Sequence, residues 1–388
     1  MTETFLSKIL IPSVTPFDAL QRFGKLGSFF YPQSITWREE PYPTQWPKVI
    51  TAHVMTGLLF YASLHLTWVG FQQIISYEKD PDFSDNTGLT GLVFIIGHCS
   101  VIAAATASTF YGVNASSISL GFRQLQKICR STNYEKSWTP KLDQLGLYLH
   151  SLLGTIIFAP VSLTLINLLY PINDPSYFIL RSVPILPAWG KTILRAVSIP
   201  LFGWQISVMN MGTILILCNV AVMFHDSLTI SSNLNFTQET NYLVKYRQLQ
   251  IVSVTMNQGF FYVIPVGLGC SFVCSVASAY VVIKFFSVVP LATLTPAVAI
   301  MSSLVGMSHV GLDLLGNIGT RSANFVRYFG FRRGREPYWR RKLRSYSNIG
   351  FRVGQFTTLG KKVRVNFLSN LLYYTATALI SSGGNSTY

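Results

Sequence analysis

The chain has 388 residues, of which Lys plus Arg make 30 and Asp plus Glu only 15, a formal net charge of +15. Charged residues are 12% of the chain, against about 25% in an ordinary soluble protein, while hydrophobic residues reach 49%, aromatics 14% and mean hydropathy +0.38. So little charge cannot cover two or three soluble domains, and five cysteines are too few for a disulfide scaffold. Disorder and collagen are excluded too. The composition is that of a membrane protein.

Seven stretches lack any charge for more than twenty residues: 49–77, 86–122, 144–173, 196–225, 248–283, 285–312 and 365–388. Each is long enough to cross a hydrocarbon core of about 30 Å, which takes about 20 apolar residues as helix. Lipid leaves backbone polar groups no outside partner, so spanning segments are helices or closed barrels. These runs are too long and too evenly apolar for barrel strands of about 10 alternating residues. The pattern predicts transmembrane helices at 49–73, 88–112, 145–170, 196–221, 257–283, 288–311 and 364–382. Where a run outlasts the bilayer, the helix is expected to tilt or to continue into water. No signal peptide is expected before the first span, because Arg22, Lys25 and Arg38 interrupt residues 1–46.

Cation placement sets the expected orientation. With a cytoplasmic N-terminus, the inner segments 1–48, 114–143, 226–247 and 313–364 hold 25 Lys and Arg, and the outer segments hold five. That is a strong positive-inside bias. It places the N-terminus inside and the C-terminus outside, the reverse of a G-protein-coupled receptor. The Asp-Arg-Tyr and Asn-Pro-x-x-Tyr signatures of such receptors are also missing.

Chemistry-bearing residues are sparse. Cys270 and Cys274 stand four apart on one helix face, but with no third ligand apparent the expectation is buried free thiols. Six histidines scatter without metal-ligand spacing. Asp143, Asp226 and Asp313 fall at inner helix ends, so no carboxylate sits near the midplane, where proton-coupled carriers and intramembrane proteases need one. Neither a cofactor nor a nucleic-acid partner is expected. Residues 321–344 combine nine Arg and Lys with six aromatics, which suggests a cytoplasmic loop drawn to the anionic inner leaflet.

The last span carries a pattern of its own. At about 100° per residue, Asn366, Asn370, Tyr373, Thr377 and Ser381 share one stripe, with Ile380 inside it and Leu368, Leu371, Leu372 and Leu379 off it. Several copies around an axis could enclose water, with Ile380 as an apolar ring that closes by dewetting. Alternatively, the polar groups bond to neighbouring helices within one bundle.

The C-terminal residues Arg341-Lys342-Leu343-Arg344, Gly354-Gln355-Phe356-Thr357-Thr358-Leu359, Phe367-Leu368 and Tyr373-Tyr374-Thr375 resemble the signature end of the insect odorant and gustatory receptor superfamily. Leu186-Pro187-Ala188-Trp189, between the third and fourth spans, resembles the Pro-Ala-Trp segment of the odorant receptors. The resemblance implies an all-α, inverted seven-helix protein that assembles as a tetrameric cation channel with the last helix lining the pore. It carries the superfamily's tyrosine onto Tyr374, or Tyr373 after a one-residue slip, and the pore and gate onto Thr377, Ile380 and Ser381. The gustatory ending Thr-Tyr-x-x-x-x-x-Gln-Phe is absent. It further implies a ligand pocket in the outer half of the bundle, for which Leu92, Phe94, Phe158, Leu163, Asn167, Phe202, Trp204 and Thr295 have suitable depth. Such an apolar cavity with a few polar groups suits a small organic odorant or tastant.

The expected organisation is a cytoplasmic segment 1–46, a seven-helix receptor domain 47–383 and an extracellular tail 384–388. Within the receptor domain, subunits are expected to meet in an anchor near 226–256 and 312–363, and 364–382 is the pore helix. The expected function is a ligand-gated, non-selective cation channel in the plasma membrane of sensory neurons, a homotetramer or a heterotetramer with a co-receptor. The alternatives are a neutral-solute transporter and, less favoured by the topology, a G-protein-coupled receptor.

Overall fold

The computed structural model describes residues 14–30, 33–37, 40–44, scattered positions between 50 and 68, 87–131, 143–169, 180, 184, 187–232, 239–286, 291–333 and 336–383. Among them nine helices carry the architecture: α1 (Pro16–Phe30), α2 (Thr87–Ser131), α3 (Gln144–Leu169), α4 (Ala188–Ser232), α5 (Glu239–Gly259), α6 (Val263–Phe285), α7 (Leu291–Arg333), α8 (Pro337–Arg344) and α9 (Lys361–Gly383). The strands are two short antiparallel pairs, β1 (Ile35–Thr36) with β2 (Tyr42–Pro43), and β3 (Arg352–Val353) with β4 (Thr357–Thr358). The fold is all-α. The first expected span, 49–73, is described at scattered positions only, all of them helical, and the tail 384–388 lies outside the described residues.

Five described helices are long and apolar enough to cross a membrane, with candidate spans Gly91–Ser131, Gln144–Ser162, Ala188–Thr229, Val263–Phe285 and Leu294–Arg332. Three outrun any bilayer. At 1.5 Å per residue, α2 and α4, with 45 residues each, are about 67 Å long and α7, with 43, about 65 Å. α2 and α4 run the same way, since Asn210 donates to the Ser100 carbonyl and Cys129 to that of Met223. α6 runs against them, with Leu92 packed beside Val281 and the Cys274 thiol beside the Ile96 carbonyl. Local departures from straightness have sequence causes: Asn114 leaves helical geometry in α2, and Pro160, Pro200 and Pro296 interrupt the hydrogen-bond ladders of α3, α4 and α7.

The segment at 14–44 is part of the packed body. Thr15 caps α1 by a reciprocal pair of bonds with Asp18, and Pro16 fills a first-turn position where no amide is needed. Ala19, Leu20 and Phe23 are buried against α3 and α4, and Asn219 donates to the Pro16 carbonyl. Glycine is required at 146, where a Cβ would stand 2.1 Å from the Val14 carbonyl oxygen. Trp37, just after β1, meets Phe122 edge-on at 5.3 Å.

Packing is tightest at the end where the cations gather. The largest fully buried side chains include Phe122 and Leu125 of α2, Phe224 of α4, Tyr246 of α5, Phe260 and Phe351. Tyr246 stacks on Phe325 of α7 with centroids 4.6 Å apart, and Phe224 meets Phe351 at 5.8 Å. The polar face of α5 pins the chain after α8. Tyr246 donates to the Ser347 carbonyl and meets the Ser322 hydroxyl, Gln250 donates to Ser347, and Asn257 bonds both Gly350 and Arg352. Burial holds the Tyr246 phenol above its ordinary pKa, so it stays protonated and can donate. Gly354, at φ 55, makes the left-handed turn between β3 and β4 that few side chains allow.

Several expectations are corrected. The span expected at 257–283 begins at Val263, because the chain breaks after Gly259 and restarts with Pro265 in its first turn. The Pro187-Ala188-Trp189 segment is the opening of α4, with Lys191 donating to the Pro187 carbonyl, and Lys191 and Arg195 ride on that helix instead of in a loop. The 321–344 stretch forms the end of α7 and all of α8. Phe325 and Phe329 are buried there because helical spacing turns them onto α5.

Candidate functional site

α9 packs along α6 and α7. Leu371 and Thr375 are buried on that side, and Phe272 of α6 meets Phe367 at 5.5 Å and Tyr374 at 5.8 Å. Arg364 anchors its start to Asp313 of α7 at 2.8 Å. Among the described residues, the opposite side packs on no other helix. Asn366, Asn370, Tyr373, Thr377, Ile380 and Ser381 are all exposed, Ile380 at 77%. The bundle therefore does not use the stripe internally. Thr377 and Ser381 return their hydroxyl protons to α9's own backbone, at Tyr373 and Ala378, which leaves their oxygens to accept from water. Tyr374 sits at the margin, half-exposed and packed on Phe272.

One flank was misjudged. Leu372, expected to face away with Leu371, is 71% exposed whereas Leu371 is 7%. The helix shows about 200° of its circumference, wider than the polar stripe. Val365, Ser369, Leu372 and Ala376 make up the extra flank.

The residues expected around a ligand do not form one lining. Phe94 is buried, Phe202 packs against Val101 and Ala105 between α2 and α4, and Leu92 packs against Val281 and Leu294 between α6 and α7. Trp204 joins the main core. Phe158, 73% exposed, and Thr295 turn outward from their helices. The side chains of Leu163 and Asn167 lie outside the described residues. Cavities of about 470 Å³, beside Arg340, Leu343 and Arg344, and about 120 Å³, beside Arg123 and Lys127, lie at the cationic end. Among the described residues no group of three His, Cys, Asp or Glu side chains is placed to hold a metal ion.

Sequence reading missed two features. Gln205 of α4, 3% exposed, faces the same side of its helix as Phe202 and Met209, and its amide nitrogen has no partner among the described residues. Its position on a helix face already seen to be apolar was the available signal. Cys99 of α2 lies at the same interface as the α6 pair, since the Cys274 sulfur comes within 3.7 Å of the carbonyl oxygen of Ile96, three residues from Cys99. Helix pairing brings it there, and spacing along one helix could not show it.

No family model and no curated protein matches the sequence. Solved structures do match. The insect olfactory receptor OR5 from Machilis hrabei, in complex with eugenol, superposes with a TM-score of 0.61 over 93% of this chain and 97% of that one, at 10% identity. The fold is that of an insect olfactory receptor. A second structure of the Machilis hrabei receptor gives 0.59 over 94% and 96%, again at 10% identity. Coverage of 93–94% of this chain means that the olfactory-receptor fold accounts for nearly all of it and not for a few membrane helices alone. At this identity the likeness lives in helix lengths, packing and order.

Proposed function

We propose that the chain is a chemosensory receptor: a cation channel opened by a small organic molecule, with α9 lining the pore. The outward polar stripe of α9 carries this reading, because a membrane helix that turns asparagines, tyrosine and hydroxyls away from its own subunit needs water or other copies against that side. A four-fold arrangement supplies both. Tyr373, Thr377 and Ser381 would then face the conduction path, with Tyr374 at its edge and Ile380 as the narrowest ring. The reading includes seven spans, N-terminus inside, in the plasma membrane of a sensory neuron, and assembly as a homotetramer or with a co-receptor. The ligand enters the less tightly packed end of the bundle, near Phe94, Phe202 and Trp204. That solved relatives of this fold include one holding eugenol favours a small, weakly polar odorant over a tastant.

The test is electrophysiological. Cells expressing the chain, alone and with the co-receptor of the odorant receptors, are challenged with an odorant and tastant panel. Ligand-evoked cation current is the expected outcome. Saturable solute uptake without such current would replace the channel with a neutral-solute carrier.

A further inference from the structure

We propose that Cys99, Cys270 and Cys274 form an oxidation site, at which peroxide joins α2 to α6 through a disulfide. All five cysteines are free thiols, and three of them share the α2–α6 interface. Cys270 and Cys274 are one helical turn apart on the same face of α6, and Cys99 stands three residues along α2 from Ile96, the residue that Cys274 touches across that interface. The helices are in close contact at this level, with the Cys274 sulfur 3.7 Å from the Ile96 carbonyl oxygen. A route for a small oxidant exists as well. Cys99 and Cys270 are partly exposed, and Gly267, on the Cys270 face one turn away, leaves open space where a side chain would stand. Cys129 and Cys218 differ: the first bonds Ser227 and the Met223 carbonyl, and the second is buried among apolar groups.

The chemistry balances with peroxide as the sole oxidant. One thiol attacks a peroxide oxygen, giving a sulfenic acid and water. A second thiol displaces that hydroxyl, forming the S–S bond and a second water. Cys99 is the shared member, so the Cys99–Cys270 and Cys99–Cys274 bonds are mutually exclusive. The remaining thiol lies beside whichever bond forms and can exchange into it.

A bond at this place has a consequence that rests on the channel reading. Phe272, between the two α6 cysteines, is the residue that bears on Phe367 and Tyr374 of α9. Fixing α6 to α2 restrains the surface against which the pore helix moves.

The full-length protein in cell membranes is treated with hydrogen peroxide, blocked with N-ethylmaleimide, digested, and analysed by mass spectrometry without reduction. A linked pair of peptides containing Cys99 and the Cys270–Cys274 segment is expected. It should persist in Cys270→Ser, Cys274→Ser and the control Cys218→Ser, and fall to background in Cys99→Ala and in the double α6 variant. Full alkylation of all three thiols after peroxide, in protein that reaches the surface normally, overturns the proposal. In current recordings, peroxide should reduce the ligand response of the wild type, dithiothreitol should restore it, and Cys99→Ala should be insensitive. A linked peptide without any effect on current would leave the oxidation site standing and count against α9 as the gate.

Discussion

Ile380 is a large apolar side chain 77% exposed among polar neighbours near the end of α9. If four such side chains close the pore by excluding water, Ile380→Ser should raise ligand-independent current, read as leak in unstimulated cells, whereas equal leak in wild type and variant would remove it from the gate. Leu371 and Leu372 now separate. Leu371→Ala opens a cavity against α6 and α7 and should lower surface expression and thermal stability, while Leu372→Ala should leave both nearly unchanged because its side chain is 71% exposed. The helical wheel showed where the polar groups cluster. It could not show where neighbouring helices end, so Leu372 was assigned to the wrong side. Exposure in one subunit also does not separate a pore-facing side chain from one facing lipid or another copy. A cysteine scan over 365–381 does that, with aqueous thiol reagents altering current at 373, 377, 380 and 381. A pattern centred on 365, 369, 372 and 376 would put the pore on the other flank.

At the scale of elements, α5, the end of α7 and α8 form a packed unit whose interior is aromatic. Arg321 lies about 12 Å, and Arg332 about 28 Å, along α7 beyond Asp313. With the membrane boundary near Asp313, as the charge pattern predicts, leaflet attraction would fade within a Debye length of about 8 Å, and most of these cations would belong to a body standing in water. There the hydrophobic effect acts fully, and Phe325→Ala, which removes the partner stacked on Tyr246, should cost about 3–5 kcal/mol. Tyr246→Phe removes one of two donors from the Ser347 carbonyl, which Gln250 still serves, and should cost about 0.5–1.5 kcal/mol. Thermal unfolding of the purified protein in detergent checks both. The half-exposed Asp313–Arg364 pair is different in kind: Arg364→Gln should change stability by at most about 1 kcal/mol. Charge spacing pointed to the five described helices that are long and apolar enough to cross a membrane, because a bilayer penalises charge directly. It said little about where helices stop in water, since that depends on packing. Phe325 and Phe329 read as part of a basic, aromatic loop until α5 and α7 are laid side by side. The break between α5 and α6 did leave a mark, Gly259 followed by Pro265, inside a stretch that carries no charge.

For the whole molecule, the 25-to-5 cation split predicts that a tag after Tyr388 is stained on unpermeabilised cells and a tag before Met1 is not. The reverse result would turn the protein over and return the G-protein-coupled reading. The uneven packing along the bundle has a mechanical meaning. Tyr246, Phe224, Phe351 and their neighbours clamp α2, α4 and α7 at one end, and each helix then projects as a beam interrupted once, at Asn114, Pro200 or Pro296. In a beam about 67 Å long, a tilt of about 2° at the clamp displaces the tip by about 2 Å. The same ratio works in reverse: a guest that wedges the free tips apart by an ångström or two asks for almost no movement among the clamped aromatics. If ligands bind at that end, as proposed, the body can take up molecules of different shapes there while the clamped end keeps one geometry.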